Sequence, residues 1–140
     1  MSEALKGIKV IDLSRILAGP WASQMLADMG AEVIKVERPK TGDDTRHWGP
    51  PFIKAAKNQQ PAQAAYYHCA NRNKQSIAID ITQPEGQQVI KDMIAKADVL
   101  IENYKVGGLE KYGLSYQQVK LLNPELIYCS ITGFGQQGPY

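Results

Sequence analysis

The chain has 140 residues, of which 44% are hydrophobic and 21% charged, and a formal net charge of +2. That length suits one domain with a real core, and its scattered basic residues argue against a nucleic-acid partner. No apolar stretch approaches membrane-spanning length and Met1 to Lys6 lacks a signal-peptide pattern, so no membrane association is expected and a cytoplasmic location is.

Gly7 to Leu13, with Ile8, Val10 and Ile11, reads as a first strand. Ala18-Gly19-Pro20-Trp21 then opens a helix, Pro20 being pre-set for a first turn. Trp21, Met25, Leu26 and Met29 recur at helical spacing, and Gly30 caps the carboxyl end. Val33 to Glu37 follows as a second strand, which makes a βαβ unit and implies a parallel sheet. From Arg38 to Pro61 periodicity dissolves among prolines, glycines and the Asp43-Asp44 pair, and a loop of that length is usually functional or mobile.

Ala64 to Ala70 reads as a short helix and Ser76 to Ile81 as a third strand. Thr82-Gln83-Pro84-Glu85 has the pattern of a helix start, with Thr82 as cap. Val89, Ile90, Met93, Ile94 and Ala97 lie on one face of that helix. Asp98 to Asn103 is a fourth strand, apolar enough to be covered on both faces. Ser115-Tyr116-Gln117-Gln118 is a second capping box, Pro124 stops that helix, and Leu126 to Ile131 is a fifth strand. Strands alternating with helices predict an α/β, doubly wound, Rossmann-like and mostly parallel sheet of about five strands.

Ligands of such folds bind beyond the carboxyl ends of the strands. Four segments fall at that edge. Ser14 to Pro20 enters a helix whose free N–H groups suit a phosphate, although the G-x-G-x-x-G dinucleotide fingerprint is absent. Glu37-Arg38 ends the second strand, where an acid reads a ribose hydroxyl and an arginine suits a phosphorylated ribose. A solvated loop arginine fits the spacing equally well. Glu102 to Gly108 offers Asn103 and two glycines, but reads more simply as an ordinary strand-to-helix turn. Thr132 to Pro139 carries three glycines, consistent with a backbone folded around a ligand or with a flexible tail.

Other candidates are weaker. His47 and His68 lack metal-ligand spacing, so no metal is expected. Asp43 and Asp44 read as solvated or turn-forming carboxylates. There is no Gly-x-Ser-x-Gly elbow, and Cys69 and Cys129 read as small buried apolar residues with reduced thiols.

Seven stretches, in order, resemble the start of the family III CoA-transferases, which include formyl-CoA and carnitine-type transferases and α-methylacyl-CoA racemases. They are Leu5-x-Gly7-Ile8-x-Val10-Ile11-Asp12, Ala18-Gly19-Pro20, Gly30 to Glu37, Gly42-Asp43-x-x-Arg46, Asn71-Arg72-Asn73-Lys74-x-Ser76, Ala97 to Asn103, and Gly133-Phe134-Gly135-Gln136-x-Gly138-Pro139. The resemblance implies that residues 1–140 are the N-terminal part of a large CoA-binding α/β domain, without the family's second domain and C-terminal return. It implies coenzyme A or acyl-CoA as substrate, a carboxylic acid as partner, and no tightly bound cofactor. The CoA-contacting positions carried over are Leu17, Ala18, Arg38, Ile79, Thr82, Asn103, Tyr104, Lys105 and Lys111, with Arg38 at the adenosine end. Lys111 replaces an arginine of the formyl-CoA enzymes and Thr82 a basic residue. Leu17-Ala18 replaces a more polar stretch, which points away from oxalate toward a larger dicarboxylic or branched acyl group.

The family's transferases use an aspartate nucleophile that passes through an acyl anhydride and an enzyme–CoA thioester. That aspartate and the racemases' His–Asp pair follow the Gly-Phe-Gly-Gln turn, so the resemblance assigns no catalytic residue to this chain and implies that it is inactive alone. An interlocked homodimer is implied for the parent. The alternatives are a racemase-type fragment and a non-catalytic nucleotide-binding module.

Overall fold

A computed structural model of the chain describes residues 3–53 and 63–139. The expectations for the first two residues, for Tyr140 and for residues 54–62 of the long excursion lie outside these described residues.

Strand β1 (Lys9–Asp12) leads into helix α1 (Ala18–Asp28) and strand β2 (Glu32–Glu37). A 3-10 helix (Asp44–His47) follows, then the antiparallel pair β3 (Phe52–Ile53) and β4 (Gln63–Ala64), and the short helix α2 (Ala65–Cys69). Strand β5 (Gln75–Ala78), helix α3 (Pro84–Ile94) and strand β6 (Val99–Glu102) come next. A 3-10 turn (Glu110–Tyr112), helix α4 (Tyr116–Val119) and strand β7 (Ile127–Ser130) complete the order.

Five of these strands form one parallel sheet in the order β5-β2-β1-β6-β7. This is the doubly wound, Rossmann-like α/β arrangement expected from the alternation of elements. Successive residues of β1 face opposite sides, which divides the core in two. Val10 packs with Ala27 of α1, Ala31, Val33 and Ile101 on one face. Ile11 packs with Ile90 and Ile94 of α3, Leu100, Leu114 and Val119 on the other. No helix among the described residues is long and apolar enough to cross a membrane.

Three local expectations are corrected. Helix α1 forms where the spacing placed it, but its buried face is Gly19, Pro20, Ser23 and Ala27, small enough to lie close on the sheet. The larger Gln24 is buried beside them, hydrogen-bonded to the Cys69 carbonyl and the Arg72 N–H. The Trp21, Met25 and Met29 stripe points outward, 55%, 52% and 42% exposed. Thr82 does not cap α3; the cap position is Gln83, and the Thr82 hydroxyl donates instead to Asp80 at 2.7 Å. Pro84 begins the helix, which puts Gln83 at the cap and leaves Thr82 one residue short of it, where its hydroxyl and N–H both donate to Asp80. Cys69 and Cys129 are exposed rather than buried, because one ends α2 at the surface and the other sits on the edge strand β7. The capping box at Ser115 is present, with Gln118 Oε1 accepting from the Ser115 N–H at 3.0 Å.

Candidate functional site

The chain runs outward from β1 through β2 to β5 on one side, and through β6 to β7 on the other. The strand order therefore reverses between β1 and β6, the place where doubly wound sheets open a crevice at their carboxyl ends. A cavity of about 580 Å³ lies there. Its walls come from the exits of four strands: Ser14 and Arg15 after β1, Arg38 to Asp43 after β2, Ile79 to Thr82 after β5, and Tyr104 after β6.

The loop from β1 into α1 is tightly specified. Ile16 adopts φ +70, a left-handed conformation that is a genuine outlier for a β-branched residue. Its N–H donates to Asp43 Oδ2 at 3.1 Å. Arg15 is held by Asn103, which binds both of its backbone groups, and its guanidinium reaches Asp44, Nε to Oδ2 being 3.0 Å. Farther along, a Cβ on Gly19 would fall 2.2 Å from Ser14 Cβ, so only glycine lets α1 begin this close to the end of β1.

A buried polar lattice borders the cavity, with Ser14, Lys35, Glu37 and Asp43 in its lining. The Lys35 ammonium is 2.9 Å from Asp43 Oδ2 and also donates to the Ser14 carbonyl at 2.9 Å. Lys74 pairs with Asp12 at 3.1 Å and donates to the Pro20 carbonyl at 2.7 Å. Asp12 also accepts from the Ser14 and Ser23 hydroxyls. Burial pulls the Lys74 ammonium down to about 8, although Asp12 works in the other direction. Burial alone would raise the Glu37 carboxyl, but Arg46, Ser76, the Asp43 N–H and Tyr67 all donate to it and hold it at about 2. The Arg46 contact is bidentate, at 2.7 and 2.6 Å. Burial would likewise raise Asp43, yet Lys35 and Thr45 hold it below the usual carboxylate range.

Of the positions expected to contact CoA, Arg38, Ile79, Thr82 and Tyr104 line this cavity together. Arg38 is exposed and forms no ion pair among the described residues. Thr82 is engaged with Asp80, as above. Burial raises the Tyr104 hydroxyl, while Arg15 and Arg38 act to lower it, which places that ring within electrostatic reach of both cations. Asn103 and Lys105 line an adjoining hollow of about 350 Å³ that shares Tyr104. Leu17 and Ala18 lie at the start of α1 and do not line the main cavity. Lys111 stands outside it too, its Nζ 4.8 Å over the Tyr112 ring, although Tyr112 itself is in the wall.

Two readings of the sequence change here. Glu37 stands where a dinucleotide fold carries a ribose-reading acid, but its buried carboxylate is occupied by Arg46, Tyr67 and Ser76. Asp43 was expected to be solvated or turn-forming; it is 2% exposed, it does begin the 3-10 helix, and it pairs with Lys35. Sequence reasoning also passed over Arg15, Lys40 and Asp80 as cavity residues. Arg15 and Lys40 follow strands predicted to end at the binding edge, whereas Asp80 fell inside the predicted third strand, which the structure ends at Ala78. Of the Thr132 to Pro139 segment, Thr132 to Gly135 line the hollow shared with Asn103 and Lys105, while Gly133 and Gly138 have open space where a Cβ would go. Among the described residues no group of three His, Cys, Asp or Glu side chains is placed to hold a metal ion.

The sequence model of CoA-transferase family III matches residues 5–140. The chain is 61% identical over 136 residues to succinate–glutarate CoA-transferase of Agrobacterium fabrum, covering 97% of this chain and 34% of that protein. It is 52% identical to succinyl-CoA:glutarate CoA-transferase of Homo sapiens, over 96% of this chain and 29% of that one. A crystal structure of a CAIB/BAIF family protein from Brucella suis superposes with a TM-score of 0.94 at 56% identity, covering 100% of this chain and 36% of that chain. The chain thus spans about a third of the length of the curated relatives it matches.

Proposed function

The chain belongs to CoA-transferase family III, and from that premise we propose that its strand-tip cavity binds the nucleotide end of a CoA thioester. The observation that carries this reading is the exposed Arg38 guanidinium, without an ion-pair partner among the described residues, at the rim of a cavity also walled by Ile79 and Tyr104. An arginine fork matches a phosphate geometrically, and apolar and aromatic walls suit an adenine ring. The hollow shared by Asn103, Tyr104 and Lys105 continues from that end and suits the pantetheine arm.

In this proposal the full-length enzyme moves CoA between an acyl-CoA and a carboxylic acid. Relatives named for succinyl-CoA with glutarate, D-citramalate and mesaconate all use dicarboxylates, and a dicarboxylate is the proposed substrate class here. The carboxylates in this cavity are poor nucleophiles. Glu37 and Asp43 are buried and fully hydrogen-bonded, and Asp80 accepts from Thr82. That supports binding as the role of these residues, with an aspartate elsewhere in the full-length enzyme forming the CoA thioester, and no transfer by residues 1–140 alone. The outward Trp21, Met25 and Met29 stripe supports association with further protein, in this reading within a homodimer.

Calorimetric titration of the chain with CoA, NAD and ATP tests the proposal. CoA should bind in preference to both, and Arg38→Ala should weaken it by about 10- to 100-fold, the value of a charged hydrogen bond to phosphate. NAD or ATP binding without CoA binding would defeat it.

A further inference from the structure

The left-handed Ile16 is the one β-branched residue at positive φ among the described residues. A conformation of that kind persists only where its surroundings over-determine it, and such residues gather at ligand clamps. Three neighbours determine it here. Asn103 holds the preceding residue by both backbone groups, Lys35 holds the Ser14 carbonyl, and Asp43 receives the Ile16 N–H itself.

Asp43 is the hub of this arrangement. Its carboxylate accepts from Ile16, from Lys35 at 2.9 Å and from the Thr45 N–H and hydroxyl at 2.9 and 2.7 Å. It also ends the segment that forms the opposite wall, Arg38 to Gly42. One buried carboxylate therefore ties the wall carrying Arg15 to the wall carrying Arg38. Its neighbour Asp44 holds the Arg15 side chain, so the two adjacent acids fix backbone and guanidinium separately.

We infer that Asp43 is a positioning residue for the nucleotide site: it holds Ile16 left-handed and so sets the spacing between the Arg15 and Arg38 walls of the cavity. This rests on the CoA-binding reading above. Asp43 need not touch the ligand, because it acts through the loop.

The test uses calorimetry with CoA on the chain carrying Asp43→Ala, alone and combined with Ile16→Gly. Asp43→Ala should weaken CoA binding about tenfold or more through misplacement of the walls. Glycine takes positive φ without a steric cost, so the double variant should bind at least about threefold tighter than Asp43→Ala alone. Packing support unrelated to Ile16 would give no such rescue. A variant that keeps a side-chain oxygen, Asp43→Asn, guards against loss of the fold. In it the Ile16 amide proton should move upfield in a 15N–1H spectrum, since a carboxylate acceptor has been replaced by a neutral one. Unchanged CoA affinity in Asp43→Ala, no rescue by glycine, or an unmoved Ile16 amide in Asp43→Asn each overturns the inference. Wild-type chain that binds no CoA overturns the ligand reading first and this one with it.

Discussion

Asn103 grips Arg15 from across the sheet reversal: its Oδ1 accepts from the Arg15 N–H at 2.8 Å, and its Nδ2 donates to the Arg15 carbonyl at 2.8 Å. The side chain thus mimics a strand partner at the point where β1 and β6 stop pairing. Leu13 makes the last backbone bond of that ladder, to the Ile101 carbonyl, and Asn103 extends it by two residues.

Asn103→Ala should therefore cost about 1–3 kcal/mol, because two backbone groups lose their partner in a part-buried site. Asn103→Asp keeps the acceptor but sets a carboxylate against the Arg15 carbonyl, and should fall between wild type and alanine. Urea unfolding measures both, and hydrogen exchange should show Arg15 and Ile16 opening faster. Wild-type exchange rates in Asn103→Ala would refute the clasp.

Glu37 should make the protein acid-sensitive at unusually low pH. Its folded-state carboxyl sits near 2 against an ordinary 4.5. A depressed acid contributes stability that is complete above the unfolded value and lost as pH falls toward the folded one. The loss from this group should run from about pH 4.5 to about pH 2. Glu37→Gln should cost about 3–5 kcal/mol at neutral pH by leaving Arg46 without its counter-charge, and the gap from wild type should narrow across that window. A gap constant from pH 5 to 2 in urea midpoints would contradict the assignment.

Lys74 should titrate near 8 rather than 10.5. Here the unfolded chain holds the proton more tightly, so the group's contribution to stability increases as pH rises from about 8 to 10.5, opposite to an exposed ion pair. Asp12 works to raise this lysine, and Asp12→Asn should drive the titration lower still. The 13Cε resonance of Lys74 followed against pH reads both shifts. A midpoint near 10.5 would mean that the ammonium is not buried as described.

Lys111 and Arg38 are both expected CoA contacts, yet only Arg38 lines the cavity. Lys111 lies over the Tyr112 ring, a contact worth about 0.5–1 kcal/mol at an exposed site. Lys111→Ala should accordingly reduce CoA affinity about two- to fivefold, well short of Arg38→Ala. Equal losses by calorimetry would place Lys111 on the ligand directly.

Much of the architecture was legible along the chain because it rests on local periodicity. Val10 and Ile11 alternate as a strand with two covered faces requires, and Ile90 and Ile94 recur as a helix face requires. Each of the five sheet strands and helices α1 and α3 could be found this way, since every signal spans fewer than a dozen residues. The strand exits then located Arg38 at the binding edge, while Ile79 and Tyr104 came from the family resemblance, and all three line one cavity.

Pairing between distant residues was not legible. Lys35 with Asp43, Lys74 with Asp12, and Asn103 with Arg15 join segments that no local pattern connects. Hydrophobic spacing says that a helix has an apolar stripe, but not whether that stripe faces the sheet. In α1 the small residues face inward because close approach to β1 requires them, and Trp21, Met25 and Met29 are left outside. The sequence by itself determined the five sheet strands, the longer helices and the edge proposed for a ligand, but not the 3-10 helix Asp44–His47 or the β3–β4 pair. Only the tertiary structure decided which charges neutralise one another and which, like Arg38, stay available, because a charge's partner is set by distance in space and its strength by burial.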